Sequence, residues 1–96
     1  MSARIDAVGN DLERLRAEIE RIDRALVELI AERVDAARAT AEAKRAAGLP
    51  TLDPPQEAAV IRRSAVWARQ AGLPAEAVRD VFWQLIGLSR RSEADE

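Results

Sequence analysis

The chain has 96 residues, fifteen of them Lys or Arg and seventeen Asp or Glu, for a formal net charge of −2. The two signs are interspersed, which leaves no basic stripe of the kind that binds nucleic acid. It contains no cysteine and no histidine, so disulfides, thiolate metal sites and imidazole chemistry are excluded and any reaction must run on Arg, Lys, Asp, Glu, Ser, Thr and backbone groups. With neither a secretory signal nor a run of about 18 apolar residues, the chain reads as cytoplasmic, without a membrane partner.

Richness in Ala, Leu, Glu and Arg, with only four glycines and four prolines, predicts an all-α fold of three helices. A first helix is expected to start near the capping residues Asn10 and Asp11 and to stop at Ala46-Ala47-Gly48, ahead of Pro50. A second starts at Asp53, with Pro54 at its first helical position, and runs to Gly72. The third runs from about Pro74 to the region of Ser92, followed by a fraying tail. Residues 1–10 are expected to be a flexible N-terminus, 11–93 a single helical domain and 94–96 a tail.

The first helix poses a length problem. About 36 residues at 1.5 Å each make roughly 54 Å, whereas a compact 100-residue domain has a radius of gyration of only about 13 Å. Leu12, Leu15, Ile19, Ile22, Leu26 and Leu29 form one apolar seam along it. No Gly or Pro between Asp11 and Ala47 offers a kink that would fold this helix into a hairpin. The seam therefore points to another chain, and the expected assembly is an intertwined helical homodimer.

Beyond Leu29 the seam changes character, passing through Arg33, Ala36, Ala37, Thr40, Ala43 and Lys44. Ala37, Thr40 and Lys44 lie within about 40° of Arg33 around the axis, and Arg33 and Lys44 are roughly 16 Å apart along it. Two inward cations flanking small side chains describe a cavity for an anion. Lys44 is the only lysine, beside fourteen arginines, as if a compact ammonium served a particular contact. The alternative is that Arg33 forms a buried ion pair and Lys44 is a cation favouring the helix C-terminus.

The third helix makes the same switch, since Phe82, Ile86, Ser89 and Glu93 share a face that turns polar toward the C-terminus. Two stripes turning polar point to one shared pocket. Arg16 is about 100° out of phase with Arg33. On its own it reads as a solvated surface residue, but in an antiparallel dimer it reaches the Arg33 region of the other chain. Trp67, Trp83 and Phe82 read as core anchors.

This constellation resembles the all-helical AroQ class of chorismate mutases from about Leu12 to Glu93. In that family the first helix carries LR.EID.ID..L..L..ER, matched here by LRAEIERIDRALVELIAER, and a lysine eleven residues further on, matched by Lys44. A D...E element opens the second helix, matched by Asp53 and Glu57. The resemblance implies an isomerase that converts chorismate to prephenate by a Claisen rearrangement in phenylalanine and tyrosine biosynthesis, with no cofactor and no metal. Catalysis would rest on holding the dianionic substrate in its reactive conformer and stabilising charge on the breaking ether oxygen.

By the same resemblance Arg16 of the other subunit and Arg33 would clamp carboxylates, and Lys44 would donate to the ether oxygen. Asp53 and Glu57 would hold the substrate hydroxyl, Ser89 would assist at a carboxylate, and Glu93 would supply the second ether-oxygen donor. Glu93 can donate only when protonated, so that role implies activity falling as it ionises. Many relatives carry Arg where this chain has Gln56. Here Asp53 and Gln56 have capping-box spacing, which weakens one carboxylate contact unless Arg62 or Arg63 compensates. The short C-terminus leaves open activation by a partner enzyme of the pathway.

Isochorismate pyruvate lyase and aminodeoxychorismate mutase are alternatives that use the same fold and nearly the same cations. A non-catalytic helical dimerisation or regulatory module would explain the amphipathic helices, but not the cations along the seam.

Overall fold

A computed structural model of the chain describes the backbone of residues 2–94 and the side chains of residues 9–93. Three helices follow one another: α1 (Ser2–Ala46), α2 (Pro54–Gln70) and α3 (Ala75–Ala94). Helix α1 begins ahead of Asn10, because Ala3, Arg4 and Ala7 favour helix and the lone Gly9 costs only about 1 kcal/mol. Among the described residues no helix is long and apolar enough to cross a membrane.

The helix stops are set by two matching devices. Gly48 (φ 73°) and Gly72 (φ 74°) take the left-handed conformation that a Cβ would strain. At the end of α1, Leu49 N–H donates to Lys44 O at 2.8 Å and Gly48 N–H to Arg45 O at 3.1 Å. Leu73 and Gly72 repeat both bonds on Ala68 and Arg69 at the end of α2. This paired pattern satisfies carbonyls that the helix end would otherwise orphan. A proline follows each stop within two residues, at Pro50 and Pro74. At the start of α2, Asp53 Oδ1 accepts from Gln56 N–H at 3.2 Å, with Pro54 next to the cap.

The chain divides between Glu32 and Arg33 into two units. In the first unit Leu12, Leu15, Ile19, Ile22, Leu26 and Leu29 are all exposed, between 42% and 60%. In the second, α2 packs against α3 over a core of mostly small side chains: Ala41, Val60, Ala65, Ala68 and Ile86, with Ser64 and Ser89. The Ser64 hydroxyl is buried because it donates to Ile61 O at 2.7 Å.

The aromatic anchors expected from the sequence are met only in part. Phe82 is half-buried, but Trp67 and Trp83 are about half exposed within the single chain. The physical reason is the size of the α2 core residues: Ala65 and Ala68 let the helices approach closely and leave the bulky indoles outside the contact.

Candidate active site

The second unit carries an open cavity of about 660 Å³. The last turns of α1 supply Arg33, Ala37, Thr40 and Lys44 to its wall, and the α1–α2 connection adds Thr51 and Asp53. Helix α2 contributes Gln56, Glu57, Val60 and Arg63, and α3 contributes Ile86, Ser89, Arg90 and Glu93. The alanines and Thr40 are what leave the space open. Thr40 directs its hydroxyl to Ala36 O at 2.9 Å, which satisfies it without a side-chain partner.

Arg33, Lys44, Asp53, Glu57 and Arg90 are each held by an identifiable contact. Arg33 Nη1 donates to Ser89 Oγ at 3.2 Å, so a neutral hydroxyl from α3 fixes a guanidinium from α1. Lys44 Nζ donates to Asp53 Oδ2 and to Thr51 O, both at 3.4 Å. These are long for such bonds, so the ammonium is steered toward the cavity but not saturated. Asp53 divides its carboxylate, with Oδ1 capping α2 and Oδ2 facing Lys44.

Glu57 Oε2 accepts from Arg90 Nε at 2.9 Å, and its second oxygen takes a parallel bond from Arg90 Nη2. Five lining residues are cations (Arg33, Lys44, Arg45, Arg63, Arg90) and three are carboxylates (Asp53, Glu57, Glu93). With all carboxylates ionised the wall carries an excess of two positive charges, although the whole chain has a net charge of −2. Such a wall is complementary to a small dianion. Among the described residues no group of three or more Asp and Glu side chains is placed to hold a metal.

Of the site residues read from the sequence, Arg33, Lys44, Asp53, Gln56, Glu57, Ser89 and Glu93 all line this one cavity. Arg16 lies on the first unit, exposed, and is not part of the wall. Glu93 lies within α3, which continues to Ala94. Among the described residues the contact of Arg33 is the Ser89 hydroxyl rather than a carboxylate. The alternative for Lys44 remains compatible with its place in the last turn of α1, where a cation also favours the helix dipole.

Two residues were not legible as site residues from spacing alone. Arg90 is 33 residues from Glu57, a separation no local pattern reports, yet it lies on the Ile86, Ser89, Glu93 stripe at i+4 from Ile86. Arg63 lies seven residues after Gln56, on the same face of α2. Of the two compensating arginines considered, Arg63 lines the cavity and Arg62 does not.

The model of the family described as chorismate mutase type II matches residues 15–94. The T-protein of Enterobacter agglomerans is 31% identical over 86 residues, covering 90% of this chain and 23% of the relative. The T-protein of Haemophilus influenzae is 33% identical over 85 residues, covering 88% of this chain and 22% of the relative. The chain thus spans less than a quarter of the length of these curated relatives. No solved structure matches it. A match over this much of the sequence, ending on the helix that carries Ser89 and Glu93, shows that the chain belongs to the chorismate mutase type II family.

Proposed function

We propose that the cavity is the active site of a chorismate mutase, an isomerase converting chorismate to prephenate. The observation that carries this reading is the convergence of Arg33, Lys44, Glu57, Ser89 and Glu93 on one space whose wall has two surplus positive charges. In this pericyclic step the ether C–O bond breaks as a C–C bond forms, and no group is transferred to the protein. The protein's contribution is to position the substrate and to stabilise charge as it develops.

Arg33, steadied by Ser89, binds one carboxylate. Lys44 donates to the ether oxygen as negative charge grows there, and its loose hold on Asp53 leaves donors for that purpose. Glu57, oriented by Arg90, accepts from the substrate hydroxyl, with Asp53 shaping the start of α2 beside it. Glu93 lines the same space from α3 and would serve as the second ether-oxygen donor, a role open only to a neutral carboxyl.

The active form in this reading is a homodimer. Six exposed seam residues on the first unit would each contribute on the order of 1 kcal/mol when covered by a partner, since about half of each is already shielded. The partner would also bring its own Arg16 to the cavity, adding a cation for the second carboxylate.

Gln56, a neutral amide in the wall, keeps the choice among chorismate-like substrates experimental. Incubating the purified protein in turn with chorismate, isochorismate and aminodeoxychorismate, and identifying the product of each, tests it. Prephenate from chorismate is the expected result. Pyruvate release from isochorismate, with chorismate untouched, would assign a lyase instead.

A further inference from the structure

The cavity wall holds two cations that the mechanism above does not use, Arg45 at the end of α1 and Arg63 on α2. Lys44 is matched by Asp53 and Arg90 by Glu57, while Arg33 rests on a neutral hydroxyl. Arg63 lines the same cavity from α2 and has no carboxylate partner among the described residues. Its guanidinium carbon instead lies 5.6 Å from the centre of the Trp67 ring. Gln56, Val60, Arg63 and Trp67 succeed one another at spacings of 4, 3 and 4 along α2, so amide, methyls, guanidinium and indole form a single stripe.

A guanidinium over an aromatic face is held by the ring quadrupole, while its N–H donors stay in its own plane, available at the edge. That arrangement fixes the fork without consuming it. The indole, exposed and unneeded in the core of the single chain, acquires a purpose as a platform.

We propose that Arg63, steadied by the face of Trp67, binds a carboxylate of the cavity's ligand as a further guanidinium from the same chain as Arg33, in addition to the partner's Arg16. The proposal rests on the mutase reading of the cavity and names a residue that recognises the substrate's carboxylates. It requires a bidentate planar donor, so Lys at this position would keep the charge but lose both the fork and the stacking.

The test uses the full chain in two readouts. In saturation kinetics with chorismate, Arg63→Ala raises KM about tenfold with kcat within about threefold, Arg63→Lys recovers only part of that, and Arg62→Ala, outside the cavity, matches the parent. In a Trp83→Phe background, fluorescence then reports Trp67 during titration with succinate, a plain dicarboxylate. A saturable change that disappears in Arg63→Ala is expected; circular dichroism confirms that each variant is folded. If the parent turns over chorismate while Arg63→Ala behaves as Arg62→Ala, the Arg63 proposal is overturned and the mutase reading stands. If the parent does not turn over chorismate, the mutase reading fails. The succinate titration then decides Arg63 alone: an Arg63-dependent signal supports it, and a signal unchanged in Arg63→Ala or absent in the parent overturns it.

Discussion

Arg90 on α3 grips the Glu57 carboxylate on α2 through two parallel N–H donors, with Nε 2.9 Å from Oε2. The fork fixes the plane of a carboxylate that lines the cavity. Because the Arg90 side chain is 51% exposed, solvent screens the pair and its contribution to stability is expected to stay under about 1 kcal/mol. Arg90→Ala should therefore leave the urea midpoint nearly unchanged while kcat/KM for chorismate falls about tenfold, as a loosened Glu57 costs on the order of 1.4 kcal/mol. Arg90→Lys should not recover it, since an ammonium cannot present the fork. A large drop in midpoint with unaltered kinetics would make the pair a structural strap only.

Lys44 is held weakly by the protein, with both contacts at 3.4 Å, and the proposed mechanism requires its donors. Lys44→Ala should reduce kcat by about 10² to 10³, the range for removing one electrostatic donor, with a small change in stability because both of its contacts are 3.4 Å long. Steady-state kinetics and denaturant melts on the same preparation separate these effects. A non-catalytic dimerisation module would show neither loss.

Asp53 performs two tasks with two oxygens, and substitution can part them. Asp53→Asn keeps an N-cap acceptor and removes the charge facing Lys44, so stability should hold while activity changes. Asp53→Ala removes both and should also cost about 1 kcal/mol through the lost cap. Urea unfolding of the pair of variants reads the difference.

Glu93 can donate a hydrogen bond to an ether oxygen only when protonated, whereas a glutamine donates at any pH. Glu93→Gln should therefore support turnover at least as fast as the parent, while Glu93→Ala, which has no donor to offer, should lower kcat for chorismate about tenfold or more. A Glu93→Ala chain with the parental kcat would remove Glu93 from the chemistry.

The exposed seam predicts that Ile22→Glu converts a dimer to a monomer in sedimentation velocity and abolishes activity. Mixing Arg16→Ala and Lys44→Ala chains tests the shared site more sharply. Half of the dimers formed by random exchange carry one intact site, so about a quarter of parental activity should return. No recovery after confirmed exchange would rule out an Arg16 supplied across the interface, and full activity of Arg16→Ala alone would place Arg16 outside the site.

Most of the candidate site is legible in the sequence because helical phase is a property of spacing. Arg33, Ala37, Thr40 and Lys44 had to share a face of α1, and the Gly48 and Gly72 stops had to hand the chain to prolines. Relations between helices were not legible in the same way. The Arg90 contact with Glu57 and the placing of Arg63 beside the cavity depend on how α2 lies on α3, which no period encodes. The indoles misled for a related reason, since large aromatic residues signal burial without saying against which surface, and small residues made the contact instead.

The measurement that bears most directly on the whole account is the steady-state conversion of chorismate by the purified chain, followed by loss of substrate absorbance, beside Lys44→Ala prepared identically. Saturable turnover to prephenate by the parent, reduced by two orders of magnitude or more in the variant, is the result predicted. A folded parent that converts chorismate no faster than buffer, or a variant that keeps the parental rate, would contradict it.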